Sequence, residues 1–218
     1  MAAGPVGGHR ISPPPAGRSL TTNAVLAVLE QAARDLAALG QRFAVVGGIA
    51  VSARTIPRTT NDVDLVVAVA GDDEAERVCA NLRARGYDLT LVLEHTATGR
   101  LATVRMTSPV DHATLVDLLF ASSGIEDLIA ADAEGVEVDG INLPIARAGH
   151  LLAMKVLSNS DERVHKDAAD IRALLRSIIP PEVVRARTAV KLITERGYAR
   201  EKDLIAELDR LLAASSRA

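Results

Sequence analysis

Phe43-Ala-Val-Val-Gly-Gly-Ile-Ala-Val-Ser-Ala-Arg-Thr-Ile-Pro-Arg-Thr-Thr-Asn-Asp-Val-Asp-Leu-Val-Val-Ala-Val69 decides how this chain is read. Its opening, Phe43 to Val46, is a short apolar run closed by Gly47-Gly48, the pattern of a buried strand entering a tight turn. Ile49 to Arg54 is small and apolar enough for a short helix, and Pro57 limits its length. Asp62-Val63-Asp64 then leads directly into Leu65-Val66-Val67-Ala68-Val69, a second buried strand. Side chains alternate along a strand, so Asp62 and Asp64 leave it on the same side.

Two carboxylates side by side at the edge of an apolar sheet repel each other and resist desolvation. A divalent cation between them relieves both costs, and an all-oxygen donor set suits Mg²⁺ or Mn²⁺. Gly47 and Gly48 have no Cβ, so their backbone N–H groups can approach a phosphate where a helix begins. Taken together, the glycine turn and the acidic pair point to phosphoryl chemistry. The simpler account makes Asp62 a turn residue and Asp64 a strand-mouth residue.

Outward from this unit, residues 1–20 contain Pro13-Pro14-Pro15 and no apolar run of the signal-peptide kind, and are expected to be a disordered tail. Thr21 or Thr22 can cap a helix to about Leu39, which Gly40 ends. Asp72-Asp73-Glu74 begins the next helix, to about Arg85, as dipole-matching charge rather than a metal cluster. Tyr87–His95 and Leu101–Met106 read as a hairpin around Thr98-Gly99, with His95 a solvated residue near its tip. Ala113–Phe120 is a further apolar strand with one charge, Asp117, in its middle; a buried carboxylate there needs a partner. Asp111 competes with it from a loop. Asp139-Gly140 between two short apolar runs signals another hairpin, which finishes the sheet. Helices follow from Ala148 to Leu157, through Arg163–Ile171, from Pro180-Pro181 to Arg196, and from about Arg200 to Ala213. Lys155 lies on a largely apolar helix, where it can snorkel. Asp167 and Asp170, three apart, share one helix face with Lys166 beside it.

Three regions result: a tail of residues 1–20, a catalytic domain of residues 21–146 and a helical bundle of residues 147–218. Residues 21–146 hold 9 Lys+Arg against 18 Asp+Glu, while residues 147–218 hold 14 against 10. An acidic half beside a basic half suits a metal site coupled to a polyanion-binding surface. Aromatic residues are only 2% of the chain, so the core must come from aliphatic side chains and nucleic-acid binding by base stacking is disfavoured. The lone Cys79 excludes an intramolecular disulfide and any cysteine-rich zinc site, and a reducing cytoplasm is the expected compartment. No apolar run is long enough for a membrane span.

Gly47-Gly48-Ile49-Ala50 followed by Arg58-Thr59-Thr60-Asn61-Asp62-Val63-Asp64 resembles the DNA polymerase β nucleotidyltransferase superfamily, and within it the AbiEii-type toxins, over about residues 40–212. Many members carry Gly-Ser where this chain has Gly47-Gly48, which leaves more of the phosphate contact to backbone N–H groups. The resemblance implies an α+β fold: a polymerase β-like mixed sheet with flanking helices, and a C-terminal helical bundle beside it. It implies Asp117 as a third metal ligand and catalytic residue with Asp62 and Asp64, on a later strand facing the pair. It implies nucleotide contacts from Gly47, Gly48, Arg58, Thr60 and Lys155, and from the Lys166-Asp167-x-x-Asp170 motif; the alternatives are a loop salt bridge for Arg58 and helix-start acids with ion pairs for the motif. The implied reaction moves a nucleoside monophosphate from an NTP to an RNA hydroxyl, the 3′ end of tRNA among characterised relatives, with Mg²⁺ or Mn²⁺ and a cognate antitoxin. Lincosamide-type small-molecule nucleotidyltransferases have a similar look, and a non-catalytic nucleotide-binding module is the third reading.

Overall fold

A computed structural model describes residues 23–159 and 164–215, with the side chains of residues 164–166 outside the description. The expected disordered tail therefore lies outside the described residues. Among them, the elements run α1 (Asn23–Ala38), β1 (Phe43–Val45), α2 (Gly47–Arg54), β2 (Asp62–Val67), α3 (Asp72–Arg83), β3 (Asp88–Glu94) and β4 (Leu101–Thr107). They continue with β5 (Leu115–Leu119), α4 (Glu126–Ala131), β6 (Glu134–Val138), β7 (Ile141–Ile145), α5 (Ala148–Ser158), α6 (Val164–Ser177), α7 (Pro180–Glu195) and α8 (Leu204–Ser215). The strands form a single mixed sheet in the order β3-β4-β5-β2-β1-β7-β6.

Hairpins build the two wings and longer connections build the centre. Asp139 and Gly140, with φ of 48° and 89°, make the tight turn between β6 and β7 that the Asp-Gly pair predicts. β2 lies antiparallel to β1 and parallel to β5, and β7 lies parallel to β1. These parallel pairings place side by side strands that are distant in sequence.

The central strands are aliphatic on both faces where helices cover them. Val45, Leu65, Val66 and Val67 are fully buried. Toward β5 and β4 burial alternates: Val116, Leu118, Val104 and Met106 are buried, while Leu115, Asp117, Thr103 and Arg105 are only partly covered. One face of β4–β5–β2 is thus core and the other is open, and Asp62, Asp64, Asp117 and Arg105 all stand on the open one.

The helical part is packed into the same core, which extends continuously from Val25 to Leu208. α5 and α7 approach so closely that a Cβ on Gly149 would lie 2.4 Å from the Glu182 carbonyl oxygen. Glu182 also accepts a hydrogen bond from the Gly149 N–H at 2.7 Å. His150 is buried in this seam, and its Nδ1 has no hydrogen-bond partner among the described residues. Burial pushes its pKa down to about 4, so the ring is neutral near pH 7.

Four local expectations change. The last helix begins at Leu204 rather than about Arg200, because Arg200 and Glu201, with φ of 53° and 62°, form a turn before it. The helix after β1 begins at Gly47 rather than Ile49, because the turn itself supplies its first residues. α4 has no counterpart in the sequence reading; only six residues long, it packs against β1 and β2. His95 is not solvated: it is buried at the hairpin end, with its ring 4.3 Å from that of Tyr198. That contact joins residues far apart in sequence, which hairpin periodicity cannot reveal.

Candidate active site

β1 delivers the chain to the site and β2 carries it away. The two strands pair so that Val45 stands opposite Leu65, and the Val46 N–H donates to the Asp64 carbonyl at 2.9 Å. The next residue, Gly47, therefore lies against the Asp64 side chain. Its φ is 62°, and a Cβ at this position would sit 1.8 Å from Asp64 Oδ2. Only glycine accommodates both the left-handed backbone and the carboxylate. Gly48 is equally confined: a Cβ there would meet Thr60 Oγ1 at 2.7 Å and an Arg58 Nη at 3.0 Å. The space that a serine side chain would need is taken by Thr60 and Arg58. The first turn of α2 starts at these glycines, and its N–H groups have no intrahelical acceptors.

Asp62 and Asp64 leave β2 on the open face, both half-buried, while Val63 between them is buried. Parallel pairing of β2 with β5 sets Asp64 directly beside Asp117 and Asp62 beside Leu115. The Asp117 carboxylate is already engaged. Arg105, opposite it on β4, donates to both its oxygens, from Nε and an Nη, each at 2.7 Å. Arg105 was not singled out in the sequence. Its one signal is its place in the alternating stretch Leu101–Thr107, since the register that aligns it with Asp117 is a tertiary property. Asp111 lies in the loop before β5 and serves it locally, accepting from Thr114 Oγ1 at 2.6 Å and the Ala113 N–H at 3.1 Å.

A second charged cluster flanks the glycine turn. Asp170 of α6 is buried and accepts two hydrogen bonds from Arg58, at 2.8 and 2.9 Å. Lys155 of α5 bridges Asp170 and Asp167, with Nζ 2.8 Å from each. Asp167 also accepts from Ser158 Oγ at 3.1 Å. Burial opposes the Asp170 charge, but the Arg58 and Lys155 hydrogen bonds outweigh it and hold its carboxyl below the usual range. For Lys155 burial likewise works against charge, and its two carboxylate partners raise its pKa regardless. Lys155 is thus an ion-paired residue, not a snorkelling one. Lys166 is on α6, but its side chain lies outside the described residues.

The structure therefore brings Gly47, Gly48, Arg58, Thr60, Asp64, Lys155, Asp167 and Asp170 into one contiguous region, with Asp117 beside Asp64. Among the described residues, no three of His, Cys, Asp and Glu are grouped closely enough to hold a metal ion as they stand. The donor chemistry nevertheless fits a divalent cation. Asp62 and Asp64 share an open face, Gly47 makes room for a carboxylate, and Arg105 places a cation on the third one.

A glycine turn at a helix start, an Asp-x-Asp strand beside it and a third carboxylate on the neighbouring parallel strand lie together on an α+β fold. Comparison with known proteins gives the family. The family model described as "Nucleotidyl transferase AbiEii toxin, Type IV TA system" matches residues 29–217, and the chain belongs to that family. It is a nucleotidyltransferase. Among solved structures, it is similar to an antigenic nucleotidyltransferase-like protein from Paracoccidioides brasiliensis, at 20% identity and a TM-score of 0.49, covering 85% of this chain and 92% of that one. It is also similar to the lincosamide antibiotic adenylyltransferase LnuA, at 15% identity and a TM-score of 0.44, covering 73% and 99%. A third is a putative nucleotidyltransferase from H. pylori, at 13% identity and a TM-score of 0.42, covering 90% and 95%. None of the curated proteins matches the sequence.

The glycine turn gives a direct check. Gly47→Ala forces either the new methyl group or Asp64 to move by more than about an ångström, and misplacement on that scale costs about 100-fold in rate. The backbone strain is about 1–2 kcal/mol, so the variant should stay folded. Nucleotide transfer measured beside a circular dichroism melt tests this; activity within about twofold of wild type would mean that Asp64 has no fixed position to lose.

Proposed function

We propose that the protein transfers a nucleoside monophosphate from an NTP to a hydroxyl of RNA, most directly the 3′ end of tRNA, releasing pyrophosphate. It does so as the toxin of a toxin–antitoxin or abortive-infection pair, in the cytoplasm. The observation that carries this reading is the register that sets Asp64 beside Asp117 on an open sheet face, with Asp62 on the same face.

Asp62, Asp64 and Asp117 would hold Mg²⁺ or Mn²⁺, which when bound would acidify the attacking hydroxyl and neutralise charge on the phosphates. Asp117, once released from Arg105, would accept the proton of that hydroxyl. The exposed N–H groups at the start of α2 suit the negative charge of a triphosphate. Arg58 and Lys155 contribute differently from a pair of free cations. Both are tied to Asp170, so they fix the wall behind the glycine turn, and contact with phosphate requires sharing them with that carboxylate.

The polyanion surface is narrower than net charge suggests. Arg185 pairs with Asp132 and Glu182, Arg187 with Asp209, and Lys191 with Glu195, so much of the C-terminal positive charge is internally balanced. Arg172 and Arg176, one turn apart on α6 and both exposed, follow Asp170 on the same helix. They are the best-placed contacts for an RNA backbone.

The test is incubation with each labelled NTP, Mg²⁺ and total RNA, followed by separation of RNA from small molecules. Label on RNA that falls steeply with salt is the expected outcome, because phosphate contacts release counterions. Reversing both charges, Arg172→Glu with Arg176→Glu, should weaken RNA labelling at least about tenfold at about 150 mM salt and leave NTP binding unchanged. Label confined to small molecules would replace this reading with that of an antibiotic-type enzyme. No label anywhere, with NTP still bound, would favour a nucleotide-binding module.

A further inference from the structure

Arg105, Asp117 and Asp64 form a row across three adjacent strands. Arg105 is the antiparallel partner of Asp117, and Asp117 is the parallel partner of Asp64. Neighbouring strands lie about 4.8 Å apart, so the row brings one guanidinium to Asp117, next to the strand that carries Asp62 and Asp64. The Asp117 side chain is 13% exposed and the Arg105 side chain 36%. A carboxylate that covered needs compensating charge, and β5, with the sequence Leu-Val-Asp-Leu-Leu, provides none. The fork-to-carboxylate geometry, with both oxygens engaged at 2.7 Å, is the strong form of this pairing.

We propose that Arg105 is the resident cation of the carboxylate site: it occupies Asp117 in the resting protein, and a divalent ion can be held by all three carboxylates only when that guanidinium leaves. This rests on the reading of Asp62, Asp64 and Asp117 as the metal-holding set. The physical basis is competition for the same oxygens. Arg105 donates to both oxygens of Asp117 and sets a positive charge against them, so a divalent ion approaching Asp117 meets like-charge repulsion until the bidentate ion pair breaks. Arg105 has somewhere to go: its head is partly solvent-exposed on the open face of β4, between Thr103 and Thr107, neither of which is acidic. Arg105 is therefore a positioning residue for Asp117. It offsets the charge of Asp117 in the free protein and makes metal affinity low until a negatively charged substrate offers the guanidinium another partner. Arg58 and Lys155 do not fill this role, because Asp170 and Asp167 take their charge.

The experiment is Mn²⁺ binding to the full chain without nucleotide, followed by electron paramagnetic resonance of free Mn²⁺, with a thermal melt of each variant with and without the metal. Arg105→Gln removes the charge and keeps most of the side-chain length. It should bind Mn²⁺ about tenfold more tightly than wild type, melt several degrees lower without metal, and recover that loss when Mn²⁺ is added. Arg105→Lys, which keeps the charge without the fork, should fall between the two and keeps the test valid if the glutamine variant misfolds. Mn²⁺ binding that is equal or weaker in both variants overturns the proposal and leaves Arg105 a structural partner of Asp117. Absence of Mn²⁺ binding in wild type and variants alike, up to millimolar concentrations, removes the metal site itself and the proposal with it. RNA labelling plays no part in the readout, so a wrong acceptor assignment does not alter these outcomes.

Discussion

Asp64→Asn should reduce nucleotide transfer by about 10³-fold or more while leaving the fold intact. Asparagine matches aspartate in shape, so the space beside Gly47 stays filled and the β1–β2 pairing is undisturbed. What disappears is the negative charge at the end of the Arg105–Asp117–Asp64 row, next to Asp62. Interactions that gather metal and phosphate charge contribute several kcal/mol to a transition state, and each ~1.36 kcal/mol is a tenfold change in rate. Asparagine keeps the volume of the side chain and much of its hydrogen-bonding capacity, so the melting temperature should stay close to that of wild type. Asp62→Asn should behave in the same way. Asp117→Asn should be as inactive, but should lose some stability as well, because it strips Arg105 of its bidentate acceptor. Single-turnover labelling beside thermal melts separates these cases. Activity within about tenfold of wild type in Asp64→Asn would remove this carboxylate from the mechanism.

The largest effect on stability is expected from Asp170→Ala. Asp170 is 1% exposed and receives both Arg58 and Lys155, cations from two other parts of the chain. Its loss leaves two guanidinium hydrogen bonds unmade and leaves the largely buried Lys155 with Asp167 alone. Removing one partner from a buried ion cluster costs about 3–5 kcal/mol, because the remaining charge stays desolvated. For a chain of this size, that corresponds to a fall in melting temperature of roughly 10 °C. The expected mechanism is loosening of α6 from α2 and α5, which should move Arg58 and the wall behind Gly48. Equilibrium urea unfolding gives the free energy directly. A loss under about 1 kcal/mol would show that solvent reaches the cluster and that Arg58 and Lys155 are free to serve a ligand instead.

Much of this molecule was legible in its sequence because the signals were local. Aliphatic runs bounded by glycine mark β1 and β2, and the Asp-x-Asp alternation puts two carboxylates on one face whatever the strand pairs with. Asp139-Gly140 demands its own tight turn, and Pro180-Pro181 starts a helix without help from elsewhere. The glycine turn, the acidic pair and the family membership follow from the stretch Phe43–Val69 together with its downstream motifs.

What tertiary structure alone decided is who compensates whom. Asp117 called for a partner, but β5 does not say that β4 will pair in the register that supplies Arg105. Arg58 and Lys155 read equally well as phosphate ligands. Only the docking of α6 against α2 and α5 commits them to Asp170. Arg54 is similar: it is an ordinary residue at the end of a short helix, yet it donates to the carbonyls of Ile145 and Ala146 and to Glu134, tying α2 to the far wing of the sheet. His150 is buried by the close passage of α7 over Gly149, which nothing in Ala148–Ser158 announces. The physical reason is the same in each case. Hydrophobic periodicity and turn chemistry act within a few residues, whereas a buried charge is balanced by whatever side chain the strand order and helix packing place within about 3 Å of it.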